Sequence, residues 1–380
     1  MSHTSKREYL AAIWGRYQRV GRRFKSKILD EFCGVCGYCR KYAIRRLSRP
    51  LPGPRRRAGP RVRYGPEVKK VVQVIWKQSE WPCSKRLKPA LLLWLPYYER
   101  RHGVVSAAVR SLLRTMSPAT IDRLLQANRR RWAGRGRSGT RPALQLKLQV
   151  PIRRGTHRAD RPGLLEMDTV PHGGDTLSGD FAWTLTGTDL CTQWTENRAV
   201  WNKGATDVLQ QVQDLEAHLP FVLWGIDVDN GSEFLNYHLY RYCRHHQPPL
   251  ELTRSRPNYK NDQAHVEQKN FTHVRQLLGY HRIEQPHLVP ALNALYQPWN
   301  QFLNFFCPTL QLRSKRRVGT KIIRKYSKPK TPYQRVLDST HVPQHTKAQL
   351  QSRMATLDPF DLKQTIEQGL QSVLNQLQPR

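Results

Sequence analysis

The spacing of apolar positions divides the chain into a helical first part and a mixed α/β middle. Apolar residues recur every three or four positions over residues 5–48 and again over residues 66–126, as on amphipathic helices. From residue 161 the pattern changes, and short runs rich in Thr, Trp and Val alternate with helical stretches. The sequence therefore predicts all-helical segments followed by a core that contains a mixed sheet.

The middle of the chain, residues 161–310, predicts five strands and four helices. The strands are predicted over Leu164–Val170, Phe181–Asp189, Gln193–Val200, Phe221–Asp229 and Leu250–Arg254. The helices are predicted over Ala205–Leu219, Glu233–His246, Ala264–Tyr280 and Gln285–Phe306. The nearly continuous apolar run that ends in Asp229 is typical of a central strand buried on both faces.

The two helical segments predict two DNA-binding domains of the helix-turn-helix type. In residues 1–48 a third, basic helix carries the candidate DNA contacts Arg40, Arg45 and Arg46. A plain three-helix bundle is the alternative for this segment. In residues 66–126 Ser117 is a predicted N-cap for a reading helix that carries Arg123.

Two basic linkers are predicted from their composition, at residues 49–65 and 127–160. The first is rich in Pro, Gly and Arg, a composition that excludes regular structure. Its arginines, Arg55, Arg56 and Arg57, are candidate phosphate contacts, and a solvated charged linker is an equal alternative.

The charge of the chain changes which functions are plausible. Lys and Arg number 64 and Asp and Glu 28, for a net charge of +36, which indicates a polyanionic partner and above all nucleic acid. Residues 1–160 and 311–380 are strongly basic, whereas residues 161–310 have more acidic than basic residues. Because acidic clusters repel phosphate, this contrast indicates carboxylates that act through divalent cations.

Two acidic residues follow predicted strands of the core. Asp168 ends the first strand, and Asp229 ends the central strand just before an Asn-Gly turn signal. Sites in open sheets form beyond the carboxyl ends of strands, so the two carboxylates could share a divalent cation. Glu166 and Asp227 compete with them, but their positions inside the strands are less suitable.

Glu267 is the third candidate carboxylate. On an ideal α-helix it shares a face with Phe271, Val274 and Leu278, which predicts that it points inward, where metal coordination would compensate its charge. Lys269 and His273 fall on another face, which we expect to meet phosphate.

Residues 161–310 resemble the catalytic core of bacterial insertion-sequence transposases and retroviral integrases, the DDE superfamily with a ribonuclease H-like fold. The resemblance rests on the strand ending in Asp168, on Asp229-Asn230-Gly231-Ser232-Glu233-Phe234, and on Ser255-Arg256-Pro257 followed by Asn261-Asp262-Gln263-Ala264-His265-Val266-Glu267. The spacing between Asp229 and Glu267 is slightly larger than in the viral enzymes, which a short insertion at residues 259–262 would explain.

The resemblance implies a multidomain enzyme with a ribonuclease H-like core of five strands in a mixed sheet with flanking helices, preceded by all-α helix-turn-helix domains. It implies that Asp168, Asp229 and Glu267 bind two Mg²⁺ (or Mn²⁺) ions and catalyse DNA cleavage and strand transfer by a 3′-hydroxyl. The expected partners are double-stranded DNA, both element ends and target, and further copies of the chain in a homodimer or larger assembly. Further candidate DNA contacts are Asn230, Lys260, Asn261, His265, Lys269 and Asn270.

Two other functions stay open from the sequence: a DNA-binding regulator without catalysis, and a structure-selective nuclease of the same fold. The longest apolar run, Ala90–Leu95, is too short to cross a bilayer, and the first residues lack a signal peptide, so we expect a bacterial cytoplasmic, nucleoid-associated protein. Cys33, Cys36 and Cys39 lack a fourth zinc ligand nearby and are interpreted as small apolar side chains.

The last segment, residues 311–380, is a basic extension. Leu312–Tyr326 predicts a barrel-like or extended DNA-binding segment, with a solvated linker as the alternative, and residues 345–377 predict helices.

Overall fold

The computed structural model describes residues 1–51, 63–129, 159–255 and 264–377. The chain forms two compact units, Met1–Arg63 and Tyr64–Arg380. The candidate DNA contacts at residues 55–57, 260 and 261, most of the second basic linker and the loop at residues 259–262 lie outside the described residues.

The first unit contains the three predicted helices: α1 (His3–Arg19), α2 (Arg22–Cys36) and α3 (Arg40–Leu47). They enclose a small apolar core in which Phe32 and Leu47 are fully buried. Gly37 ends α2 with a φ of 65°, a left-handed conformation that glycine adopts without strain, and the chain turns there toward α3.

The second unit begins with four helices: α4 (Pro66–Gln78), α5 (Ser84–His102), α6 (Ala107–Thr115) and α7 (Pro118–Arg129). Ser117 caps α7 as predicted, since the backbone N–H of Thr120 donates to its Oγ at 3.2 Å. Trp94 is fully buried and packs edge-to-face on Phe302 and Phe306. Residues 66–126 therefore share one hydrophobic core with the rest of this unit.

The predicted mixed sheet of five strands is present. Its strands are β1 (Leu164–Pro171), β2 (Ala182–Asp189), β3 (Thr195–Trp201), β4 (Gly225–Val228) and β5 (Glu251–Arg254). They lie in the order β3-β2-β1-β4-β5, with β1, β4 and β5 parallel and β2 antiparallel to both of its neighbours. Strand β4 is shorter than predicted, because the connection before it turns Val222 to solvent.

Helices cover both faces of the sheet. One face packs against α8 (Ala205–Ala217) and α9 (Tyr237–His245), whose apolar side chains join a core with Leu165 and Ile226. The other face packs against a continuous helical stretch and a long helix, namely α10 (Ala264–Lys269), a π-helical segment (Asn270–Arg275), α11 (Gln276–Leu278) and α12 (Leu288–Phe306). The three layers agree with the fold predicted for residues 161–310.

Three asparagines of α12 hydrogen-bond the outer edge of β3. The Oδ1 atoms of Asn304, Asn300 and Asn293 accept from the backbone N–H groups of Thr195, Asn197 and Ala199 at 3.0, 3.2 and 2.7 Å. Their Nδ2 atoms donate to the carbonyl oxygens of the same three residues at 2.8, 3.3 and 3.2 Å. These asparagines satisfy the backbone groups that an edge strand leaves unpaired.

After the core, the chain forms a separate two-stranded hairpin, β6 (Leu312–Val318) and β7 (Lys321–Tyr326). Three helices follow: α13 (Pro332–Asp338), α14 (Gln344–Thr356) and α15 (Pro359–Leu377). Phe360, near the start of α15, packs edge-to-face on Trp94 of α5, so this last helix packs into the hydrophobic core of the second unit. No helix of the described residues is both long and apolar enough to span a membrane.

Candidate active site at the carboxyl ends of two strands

Asp168 and Asp229 lie at adjacent positions on two parallel strands. Glu166 of β1 pairs in register with Asp227 of β4, and Asp168 and Asp229 come two residues later. Asp229 directly follows β4 as predicted, whereas Asp168 does not end its strand, because β1 continues to Pro171 in its pairing with β2. Since alternate residues of a strand point to the same face, all four carboxylates share one face of the sheet. Glu166 and Asp227 are buried, with 1% exposure each, whereas Asp168 and Asp229 are half-buried. The two outer carboxylates are therefore the accessible pair.

The inner pair has hydrogen bonds within the fold. The hydroxyl of Thr253 on β5 donates to Asp227 at 2.5 Å, and the backbone N–H of Val266 donates to Glu166 at 3.2 Å. The second bond joins β1 to helix α10. These contacts support a structural role for Glu166 and Asp227, and they agree with the preference for Asp168 and Asp229.

The side chain of Asp168 is held by two donors. The N–H of Thr169 donates to its Oδ1 at 2.8 Å, and the Asn270 amide donates to its Oδ2 at 2.6 Å. Burial, followed by the negative charge of Asp229, raises the pKa of Asp168 to about 7 from an ordinary value of 3.8. Without a cation, this carboxylate therefore resists ionisation.

Asp229 begins a tight turn whose geometry depends on Gly231. The N–H of Gly231 donates to Asp229 Oδ1 at 2.8 Å. A Cβ at Gly231 would lie 2.8 Å from Asp229 Oδ1 and 2.6 Å from the carboxylate of Glu233, so a larger residue here would force one or both carboxylates to move. Burial and the charge of Glu233 raise the pKa of Asp229 to about 6.

Glu233 is a fourth carboxylate at this site, and sequence reasoning did not single it out. It is buried, with 6% exposure, and its Oε1 accepts from the hydroxyl of Thr169 at 2.9 Å. Lys203 forms an ion pair with it at 3.2 Å. Its negative charge acts on both Asp168 and Asp229. Its position four residues after Asp229, in the same turn, was the available signal.

Glu267 is exposed, so the prediction that it points inward is wrong. Its charge still contributes to the raised pKa of Asp168, after those of Asp229 and Glu233. The cause is the π-helical segment that follows it, which adds a residue to the helical turn and rotates the residues before it around the axis. As a result, the buried stripe that contains Val274 and Leu278 continues through Lys269 and Val266, not through Phe271 and Glu267.

Lys269 and His273 are buried for the same reason, so the expectation that they face phosphate is not met. Their exposures are 6% and 4%, and Lys269 Nζ donates to His273 Nε2 at 3.2 Å. Burial lowers the pKa of Lys269 to about 7 and lowers the pKa of His273. Phe271, which the ideal helix places inside, is 52% exposed.

Two predicted DNA contacts instead support the site from within. Asn230 Nδ2 donates to the carbonyl of Ser255, and its Oδ1 accepts from Arg254, both at 3.1 Å. These bonds tie the turn after β4 to β5. Asn270 holds Asp168, while its own Oδ1 is buried and has no hydrogen-bond partner in the described part of the chain.

The remaining described candidates lie on helices α3 and α7. Arg40 pairs with Asp30 on α2, and Arg45 lies over the ring of Tyr42, with 5.5 Å between its guanidinium carbon and the ring centroid. Arg46 is half-buried, and Arg123 on α7 is exposed. The His265 side chain lies outside the described residues.

The donor set at the sheet edge fits a hard divalent cation. Two carboxylates with raised pKa values lie near enough for the charge of Asp229 to act on Asp168, and a bound cation would relieve both the burial cost and the repulsion. The orphaned Oδ1 of Asn270 is a further oxygen next to Asp168. Within residues 1–51, 63–129, 159–255 and 264–377, however, no three His, Cys, Asp or Glu side chains are already arranged around one ion position.

The three cysteines of the first unit differ in environment. Cys36 is buried, Cys33 is half-buried and Cys39 is exposed, and all seven cysteines of the chain are free thiols. Burial raises the pKa of Cys36, as expected for a thiol that packs as an apolar side chain.

Comparison with known proteins places the chain in a family. A protein of Sinorhizobium fredii (strain NBRC 101917 / NGR234) named uncharacterized protein y4rM is 40% identical over 340 residues, which are 88% of this chain and 96% of that protein. The chain belongs to the same family as y4rM. No protein-family model matches the chain.

Among solved structures, the catalytic core domain of BIV integrase is similar to part of the chain. The similarity covers 47% of this chain and 95% of that domain, at 15% sequence identity and a TM-score of 0.31.

Proposed function

We propose that the protein is a transposase that binds the ends of its mobile element and catalyses metal-dependent DNA cleavage and strand transfer. The observation that carries the proposal is the placement of Asp168 and Asp229 at adjacent positions just past the end of the parallel ladder between β1 and β4, each with a raised pKa. Paired carboxylates with this unrelieved repulsion are suited to divalent cations, and the charge of +36 elsewhere suits DNA.

In the proposed mechanism, Asp168, Asp229 and Glu267 would hold two Mg²⁺ or Mn²⁺ ions. Bound there, such ions would polarise the attacking oxygen and neutralise charge on the leaving oxygen in an in-line displacement. In cleavage, a water oxygen forms the new bond to phosphorus and the bond to the 3′ oxygen breaks. In strand transfer, the freed 3′-hydroxyl forms the new bond and a target 3′ oxygen leaves.

The chain's own residues prepare this site. Asn270 fixes the orientation of Asp168, and Gly231 fixes the turn that carries Asp229. Glu233 accepts from the hydroxyl of Thr169 and pairs with Lys203, which keeps its charge beside both carboxylates. For Glu267 to reach the pair, the π-helical segment would have to return to α-helical register, which turns residue 267 toward the sheet.

The partners are proposed on charge and topology. We propose that the helices of the first unit and α7 bind double-stranded DNA as helix-turn-helix elements, through Arg45, Arg46 and Arg123. Joining two element ends to one target requires two active sites, which favours a homodimer or larger assembly on DNA.

The test compares the full chain with Asp168→Asn, Asp229→Asn and Glu267→Gln on duplexes that carry the inverted repeats flanking its gene. Joining to a plasmid target in Mg²⁺ should fall by more than the ~10–100-fold typical of losing a group behind a metal ligand. Asp175→Asn, at an exposed loop position, is the matched control and should retain activity. DNA affinity should be unchanged in all four variants.

The same series distinguishes a second candidate, a DNA-binding regulator that retains the fold without catalysis. The exposure of Glu267 favours that candidate. It would be supported if the unsubstituted chain bound the repeats but neither cut nor joined them in Mg²⁺ or Mn²⁺. Near-normal joining by Asp168→Asn or Asp229→Asn would instead show that the reaction occurs elsewhere.

A further inference from the structure

The hairpin formed by β6 and β7 stands apart from the rest of its unit. It is a two-stranded sheet of its own, and every described side chain from Arg313 to Tyr326 is exposed. At its base, Gln311 donates to the carbonyl of Cys191 at 2.6 Å, and Ser327 N–H donates to the carbonyl of Gln311 at 2.8 Å. A two-stranded hairpin without a covering layer is marginally stable in water, so a surface of this kind is suited to a partner.

The charge of the hairpin identifies the class of partner. Leu312–Tyr326 contains seven Lys and Arg residues and no acidic residue, and residues 285–337 as a whole contain no Asp or Glu. Lys315 and Arg324 are direct cross-strand partners, and like charges at such positions destabilise a free hairpin. A polyanion along the hairpin would remove that repulsion.

Aliphatic side chains are interleaved with these cations. Ile323 pairs with Arg316 and Ile322 with Arg317 across the strands, and both isoleucines are exposed, at 37% and 48%. Val318, at the tip, is 51% exposed. A surface that only neutralised phosphates would need no aliphatic groups, whereas the edges of base pairs offer thymine methyl groups for apolar contact.

The dimensions of the hairpin fit a DNA groove. Strands of seven and six residues extend for about 20 Å. The major groove of B-DNA is about 12 Å wide and admits a two-stranded β-ribbon, while the major groove of A-form RNA is too narrow for side chains to read.

We propose that Leu312–Tyr326 is a β-ribbon that enters the major groove of duplex DNA, with its arginines and lysines on the phosphates and with Val318 and Ile323, which share one face of the ribbon, against base edges. The inference rests on the proposed function, since it assigns part of the DNA binding of a transposase to this ribbon. It places DNA contacts at a site separate from the helices and from the sheet edge.

The experiment measures binding of the full chain to a 40-base-pair random-sequence duplex in EDTA, as a function of salt. The ribbon variant carries Arg316→Gln, Arg317→Gln and Arg324→Gln. The charge-matched control carries Arg241→Gln, Arg244→Gln and Arg353→Gln at exposed positions of α9 and α14. We expect the ribbon variant to bind ~100-fold more weakly near 0.1 M salt, with a salt dependence shallower by about 3 in the log–log slope, and the control to match the unsubstituted chain.

Dimethyl sulfate footprinting then identifies the groove. It reports guanine N7 in the major groove and adenine N3 in the minor groove. The unsubstituted chain should protect N7, and both the ribbon variant and a Val318→Asn, Ile323→Asn variant should lose that protection. The Val318→Asn, Ile323→Asn variant should weaken binding about 10-fold without changing the salt slope.

The possible results separate this inference from the proposed function. If the unsubstituted chain binds no duplex, both fail. If it binds but the ribbon variant equals the control, only the ribbon is wrong. Protection of adenine N3 alone, or tighter binding to an RNA duplex of the same length, would also overturn it.

Discussion

Replacing Asp168 by asparagine should stabilise the metal-free protein, and the gain should depend on pH in a direction fixed by its pKa. The ordinary pKa of 3.8 applies to the unfolded chain, and burial together with Asp229 raises it to about 7 in the fold. Between these values the unfolded chain releases a proton that the native chain retains. The native state therefore loses stability relative to the unfolded state as pH rises from about 4 to about 7, and the loss is complete above that.

The structure sets the size of this effect. One pKa unit corresponds to about 1.4 kcal/mol, so the difference between 3.8 and about 7 is equivalent to at most about 4 kcal/mol. For a unit of this size the gain in Tm should be roughly 5 °C at pH 7.5 and near zero at pH 4. The amide of Asp168→Asn retains an oxygen that accepts from the Thr169 N–H. Its NH₂ group can donate to the Oδ1 of Asn270, which has no other partner, once the Asn270 amide rotates.

The assay is thermal unfolding of Asp168→Asn, the unsubstituted chain and Asp175→Asn at several pH values in EDTA. It is then repeated with Mg²⁺. Added cation should raise the Tm of the unsubstituted chain and of Asp175→Asn, but much less that of Asp168→Asn, because the ligand is lost. If Asp168→Asn lowered the Tm at pH 7.5, or if its effect were the same at pH 4 and pH 7.5, the electrostatic reasoning would be refuted.

Two further predictions concern the edge strand and the turn. Asn300→Ala removes two hydrogen bonds from buried backbone groups of β3 and should lower the free energy of unfolding, measured in urea, by about 3 kcal/mol. Gln297→Ala, on the exposed side of α12, is the control and should lower it little. Equal effects of the two substitutions would contradict the role of the α12 asparagines in holding β3. Gly231→Ala places a methyl group against the Glu233 carboxylate, so it should abolish joining and lower the Tm by a few degrees. Gly65→Ala, with open space around it, is the control and should retain activity. Normal joining by Gly231→Ala would show that the turn can move without consequence.

Much of the fold could be predicted because its signals are local. Period-two and period-3.6 patterns indicated the strands and helices of residues 161–310, and turn residues marked where strands end. The position of Asp168 and Asp229 followed from the rule that parallel strands share a carboxyl edge. The sheet edge was therefore predictable without knowledge of side-chain packing.

The errors arose where geometry departs from an ideal element or depends on distant contacts. A π-helical segment has no strong sequence signature, so the periodicity placed Phe271 inside and Lys269 outside, and the structure has the reverse. The asparagines of α12 are visible as polar interruptions in an apolar helix, but their partners on β3 lie about 100 positions away. Only the folded chain reveals that contact.

The hydrogen bonds from Asn293, Asn300 and Asn304 of α12 to β3 also limit how copies of this protein can associate. A sheet with a free outer strand can extend into the sheet of a neighbouring molecule, a common route to continuous intermolecular sheets. Here α12 already occupies the hydrogen-bonding positions of β3, so this border of the sheet is closed to a second copy. Any complex that gathers several copies must therefore form without pairing β3 to a strand of a neighbouring molecule.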